Sequence, residues 1–138
     1  MQRRRRCQFA VPGTLAALIV AAAAPLSAQT TSYHVGNSLT QDSQPTGVAE
    51  MAERMGMDHL IGRHIRCGSS LGGILENPDG LCVDPIEEFG TFPTALPNHR
   101  WDFVTLQTHP ERFSTLGDDV ASAVELIELT RSNPANAD

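Results

Sequence analysis

The sequence predicts an α/β fold, a parallel sheet with flanking helices. Three observations carry that prediction. Strand candidates occur at residues 32–35 and within 57–66, and a compact apolar run of strand length lies at 101–107. Segments with helical apolar spacing stand between and after them. The connections joining successive elements are short, and strand–helix alternation of this kind builds a parallel sheet.

Each element has a local reason. Residues 32–35 form a short strand that stops at Gly36. In residues 45–55, Val48, Met51, Ala52 and Met55 recur at helical spacing, and Gly56 is a natural stop. Leu60, Ile61 and Ile65 mark a second strand, which runs into a glycine- and serine-rich loop at 68–80 with room for one helical turn. Three prolines in residues 84–98 predict short helical pieces and irregular chain. Phe103, Val104 and Leu106 make the most compact strand signal. Over residues 115–131, Leu116, Val120, Val124 and Ile127 share one stripe of an amphipathic helix. Asn133-Pro134 ends it, and the chain there reads as the approach to a fourth strand. There is no internal repeat and no long linker.

Residues 1–28 form a separate unit. A cationic start at residues 2–6 precedes an alanine-rich apolar stretch at 9–24, and Pro25-Leu26-Ser27-Ala28 supplies a small residue before a cut at Gln29. This is the three-part pattern of a secretory signal peptide, with a retained N-terminal anchor as the alternative. Cys7-Gln8 stands where a twin-arginine signal wants an apolar residue. The expected organisation is a signal peptide at 1–28 and a single partial domain at 29–138. The expected location is secreted or periplasmic, with no stable membrane anchor after cleavage.

Removing the leader sharpens the charge. The ten basic residues are all arginines and four lie in Arg3–Arg6, while all sixteen acids follow residue 40, so residues 29–138 carry a net charge of −10. Such a chain attracts no phosphate backbone, which argues against a nucleic-acid partner. The lack of lysine excludes a P-loop, a Schiff base and a Ser-Lys dyad. Cys67 and Cys82 remain after export; they either close one loop as a disulfide or stand as two buried thiols. Their spacing lacks the clustering of a zinc site.

The chemistry centres on Ser38. A serine that follows a strand and a glycine, just ahead of a helix, stands at the carboxyl edge of the sheet, where open α/β sheets hold their ligands. Helix N–H groups there stabilise a developing oxyanion, which suits acyl transfer. Taken alone, the same residues describe a turn or helix cap equally well, since Asn37 and Thr40 serve such a turn.

Val35-Gly36-Asn37-Ser38-Leu39-Thr40 resembles the nucleophile block of the SGNH hydrolases, the GDSL-like esterase superfamily, in the asparagine form of its secreted bacterial branches. Cys67-Gly68-Ser69-Ser70-Leu71 is similar to the block whose glycine N–H helps bind the oxyanion. Trp101-Asp102-Phe103-Val104-Thr105-Leu106-Gln107 is similar to the third strand of one SGNH-like subgroup, with glutamine in place of the name-giving asparagine. The three segments keep the family's order and cover roughly residues 33–131. The resemblance implies a flavodoxin-like parallel sheet, present here through about three strands. It implies Ser38 as nucleophile, the N–H groups of Ser38 and Gly68 as oxyanion donors, and Gln107 as a further donor or a polar residue closing the strand. It also implies carbohydrate or small carboxylic esters as substrates, and no cofactor.

The family draws its base from an Asp-x-x-His motif near the C-terminus. The five histidines here are His34, His59, His64, His99 and His109, and none has an aspartate three residues earlier. His109, two residues past Gln107, is the nearest substitute. The expectation is therefore the first half of an SGNH-type domain, inactive by itself. The alternative is a non-catalytic secreted remnant or binding protein.

Overall fold

The structure is a computed structural model that describes residues 29–109 and 114–137. The leader expected at residues 1–28 lies outside the described residues. Three parallel strands form one sheet: β1 (Thr30–Gly36), β2 (His59–Ile65) and β3 (Phe103–Leu106). Their order is β2-β1-β3, with β1 central. Thr30 pairs with His59 and Gly36 with Ile65 on one side; Ser32 pairs with Phe103 and Val35 with Leu106 on the other. The α/β class and its flanking helices are as the sequence predicts. This register matters for the site because it ends all three strands at one edge.

Between β1 and β2 the chain forms α1 (Ser38–Asp42) and α2 (Pro45–Arg54); between β2 and β3 it forms α3 (Leu71–Glu76) and α4 (Phe92–Asn98). After β3 comes α5 (Leu116–Arg131), which packs on α3 and α4. Alternation along β1 sends Tyr33 and Val35 to the α3–α5 side, into a core with Leu71, Ile74, Phe92, Leu96 and Leu126. Trp101 completes it. Its indole Nε1–H donates to Ala95 O at 3.1 Å, and its ring lies 5.0 Å from those of both Tyr33 and Phe89. The Tyr33 hydroxyl donates to Gly90 O at 2.9 Å, and burial pushes its pKa above the ordinary tyrosine range.

Asp102 ties the start of β3 to β1. Its carboxylate accepts from the Thr31 backbone N–H at 2.8 Å and from the Thr31 hydroxyl at 3.1 Å. These bonds, that of the backbone first, hold its pKa below the usual carboxylate value. Cys67 and Cys82 are joined as a disulfide with Cα atoms 5.7 Å apart, which resolves the two alternatives left by the sequence.

Two expectations are corrected. The stripe of Leu116, Val120, Val124 and Ile127 is exposed, and the buried face of α5 is instead Ser122, Leu126 and Thr130. The hydroxyls tolerate burial because each bonds back one turn: Ser122 Oγ to Asp118 O and Thr130 Oγ1 to Leu126 O, both at 2.8 Å. In α2, likewise, Ala52 is buried while Val48, Met51 and Met55 face outward. After α5 the chain forms a 3-10 turn at Pro134–Asn136, where Asn136 Oδ1 accepts from Trp101 N at 2.8 Å.

Candidate active site at the carboxyl edge of the sheet

β1 ends at Gly36, a position where no side chain fits. A Cβ at that position would overlap the Thr40 hydroxyl and lie 2.7 Å from Gln107 Cβ. This close approach seats the first turn of α1 against the end of β3. Asn37 then leaves the strand in extended conformation and caps α1, its Oδ1 accepting from Leu39 N at 3.0 Å. Its amide does more. Nδ2 donates to Ser69 O at 3.2 Å and to Thr108 O at 3.3 Å, from a position with no exposed surface. One side chain thus joins the turn after β1 to the loops after β2 and β3.

Ser38 is the first residue of α1 and half-buried. Its backbone N–H donates to no acceptor among the described residues, as expected of an N-terminal helix position. Gly68 is exposed at φ +66°, a conformation that favours glycine, and its N–H is also unengaged among the described residues. The neighbouring amides are occupied, Cys67 N–H on Cys82 Sγ and Ser69 N–H on Arg66 O. Gln107 N–H donates to Val35 O at 2.9 Å, extending the β3 ladder, and its Nε2 is turned onto Thr108 O at 2.9 Å. In that rotamer Gln107 closes the strand end, the second of the two roles its type allows.

The histidines divide by location. His34 and His59 sit on the opposite sheet face from the core, their Nε2 atoms 3.0 and 2.9 Å from Ser32 Oγ, and burial together with the charge of His59 lowers the His34 pKa. His64 is wholly buried, edge-on to Phe92, and its Nδ1 accepts from Phe92 N at 3.4 Å. Burial, then the Arg66 charge, lower its pKa to about 4 against an opposing pull from Asp79. His99 packs on Phe89 and Trp101. His109 alone follows β3 at the edge where Ser38 stands. Ser38 Oγ makes no hydrogen bond to a histidine or to any other described residue.

A cleft of about 600 Å³ opens beside the Gly68 loop. Arg66, Ser69, Asn77, Asp118 and Ser122 line it, and Ser38 does not. Its walls are hydroxyls, amides and charges over a floor that includes Gly72 and Gly73. Among the described residues, no group of three or more His, Cys, Asp or Glu is placed to hold a metal ion, and no helix is long and apolar enough to cross a membrane.

The three residues singled out from sequence, Ser38, Gly68 and Gln107, therefore end on one edge. The sequence marks Asn37 only as a turn or cap residue and does not show its bridging role. Its place directly before Ser38 was the available signal, but capping explains an asparagine there equally well. No protein-family model matches the chain, and no curated protein or solved structure matches it either.

Proposed function

We propose that the chain carries the nucleophile half of a secreted serine ester hydrolase of the SGNH type, acting on carbohydrate or other small carboxylic esters. The observation that carries the reading is the Asn37 clamp, which holds the Ser38 turn against the loops bearing Gly68 and Gln107. Two N–H groups unengaged among the described residues, of Ser38 and Gly68, stand in those same turns. That pairing suits an oxyanion hole.

In this reading Ser38 Oγ attacks the ester carbon and its proton passes to a base. The carbonyl electron pair moves onto oxygen, which accepts from the two N–H groups. Collapse expels the protonated alcohol, and water then cleaves the acyl-enzyme by the same route. Gln107 joins the donors only by leaving Thr108 O. The polar cleft beside Gly68 supports a hydroxylated alcohol portion, as a sugar ester would present. The base is an imidazole: either the family's Asp-x-x-His, which these 138 residues do not contain, or His109.

Imidazole in solution substitutes for a base that is not bonded to the serine. The exported protein should hydrolyse p-nitrophenyl acetate slowly, with a rate that rises severalfold on adding imidazole beyond the free-imidazole background. Ser38→Ala should remove the protein-dependent part of that rise. An equal rise in parent and variant would reject Ser38 as nucleophile. It would favour the second reading, a non-catalytic secreted binding protein, which the unpaired Ser38 hydroxyl and a cleft lacking Ser38 support.

A further inference from the structure

On the sheet face away from the core, α2 contributes Pro45 and Ala52 to the packed interior. Its outward side carries Met51 and Met55, one helical turn apart and therefore neighbours on the helix surface. After α2 the chain folds back at Gly56, where Met57 N–H donates to Ala52 O at 2.9 Å. Two residues later β2 opens with His59. Met51, Met55, Met57 and His59 all line one groove of about 240 Å³, with Thr30, Val48 and Ala52 completing it.

These are all the methionines of the chain apart from Met1. They are not packing the core: their exposures are 64% for Met51, 69% for Met55 and 46% for Met57. Three exposed thioethers beside one imidazole are an uncommon use of methionine, which ordinarily fills gaps in cores. The His59 ring is oriented by Ser32 Oγ at its Nε2, 2.9 Å away, and its Nδ1 has no hydrogen-bond partner among the described residues. Such a second partner sets the tautomer and steadies a ligating imidazole.

The donor set selects the ion. Thioether sulfur is soft and uncharged, and together with neutral imidazole it offers nothing to hard, strongly hydrated dications. It suits a soft monovalent d10 cation, Cu(I) or its redox-inert counterpart Ag(I). Glu50, Glu53 and Asp58 flank the groove, lining an adjoining hollow with Met57 and His59, and they favour the approach of a cation without entering its coordination. We propose that Met51, Met55, Met57 and His59 form a Cu(I)-binding site on the α2 face, separate from the Ser38 edge.

The test uses the purified exported protein, labelled with [13C]methyl-methionine and titrated with Ag(I). The three ε-methyl resonances should shift together and saturate at one equivalent, whereas Zn(II) should leave them in place. Competition with bathocuproine disulfonate under anaerobic, reducing conditions should give one Cu(I) per chain. The variant M51L/M55L/M57L keeps apolar volume and helix propensity, so it should retain its circular dichroism spectrum. It should bind Cu(I) at least tenfold more weakly, and His59→Gln should produce a smaller loss. Methyl resonances that do not move with Ag(I), or Cu(I) affinity unchanged in the triple variant, would overturn the site.

Discussion

The Asn37 side chain makes three hydrogen bonds from a fully buried position: its Oδ1 accepts from Leu39 N, and its Nδ2 donates to two carbonyls of other loops. Truncation leaves the Ser69 carbonyl without its donor, the Thr108 carbonyl with Gln107 Nε2 alone, and α1 without its cap. Each such loss is worth about 1–2 kcal/mol. Asn37→Ala should therefore lower unfolding stability by roughly 2–4 kcal/mol in denaturant titration. It should also reduce the proposed Ser38-dependent ester hydrolysis more than a surface substitution of equal cost, because the Ser38 and Gly68 turns lose their tie. Unchanged stability would show the clamp to be idle. His64 supplies a second residue-scale prediction. Its pKa is about 4 in the folded chain against an ordinary 6.5, so the unfolded chain binds the extra proton between those values. The His64 contribution is complete above pH 6.5 and is lost as pH falls toward 4, amounting to roughly 2–3 kcal/mol. A His64→Leu variant should flatten the stability profile between pH 6.5 and 4, whatever its stability at pH 7. A slope in that window equal to the parent's would contradict the assignment.

At the scale of elements, the strands were legible because apolar runs bounded by glycine and polar residues signal a strand regardless of what packs on it. The existence of α2 and α5 was legible for the same reason. Which face each helix buries was not. The most apolar stripe of α5, through Leu116 and Ile127, is exposed, while Ser122 and Thr130 are buried with their hydroxyls satisfied one turn back. Apolar count along a stripe records which face can be buried, and only the neighbouring elements decide which face is. The candidate site shows the same split. Ser38, Gly68 and Gln107 could be named because ordered motifs mark strand ends, but the bond from Asn37 to Ser69 spans residues distant in sequence. The loop after β2 has its own test. The Cys67–Cys82 disulfide closes a 15-residue separation beside Gly68, and Cys82 N also bonds to Ile65 O. A closure of that size is worth about 3 kcal/mol by the chain-entropy account. Reduction should lower the thermal midpoint of the protein, and alkylation before reduction should label neither Cys67 nor Cys82. Two thiols freely labelled in the native protein would refute the bond.

For the whole molecule the open edge of the sheet is decisive. Among the described residues β3 pairs only with β1, so its outer N–H and C=O groups have no ladder partner. Phe103 is 62% exposed on one side of that edge. On the other side a groove of about 290 Å³ between Val104, Leu106 and Ile127 leads into the exposed α5 stripe. An unpaired strand flanked by apolar surface on both sides is a template for adding chain, and natural edges are ordinarily covered, charged or bulged to prevent it. β3 has none of these protections within its four residues, Phe-Val-Thr-Leu. The protein alone should therefore associate, with an apparent mass that rises with concentration and with strong binding of an apolar dye. Phe103→Lys together with Val124→Lys places one charge on the edge strand and one on the exposed α5 stripe, where substitution costs within about 0.5 kcal/mol of stability. That double variant should stay monomeric at concentrations where the parent does not, and its dye fluorescence should fall severalfold. A parent that sediments as a monomer throughout and binds no dye would refute the β3 edge as a site of association.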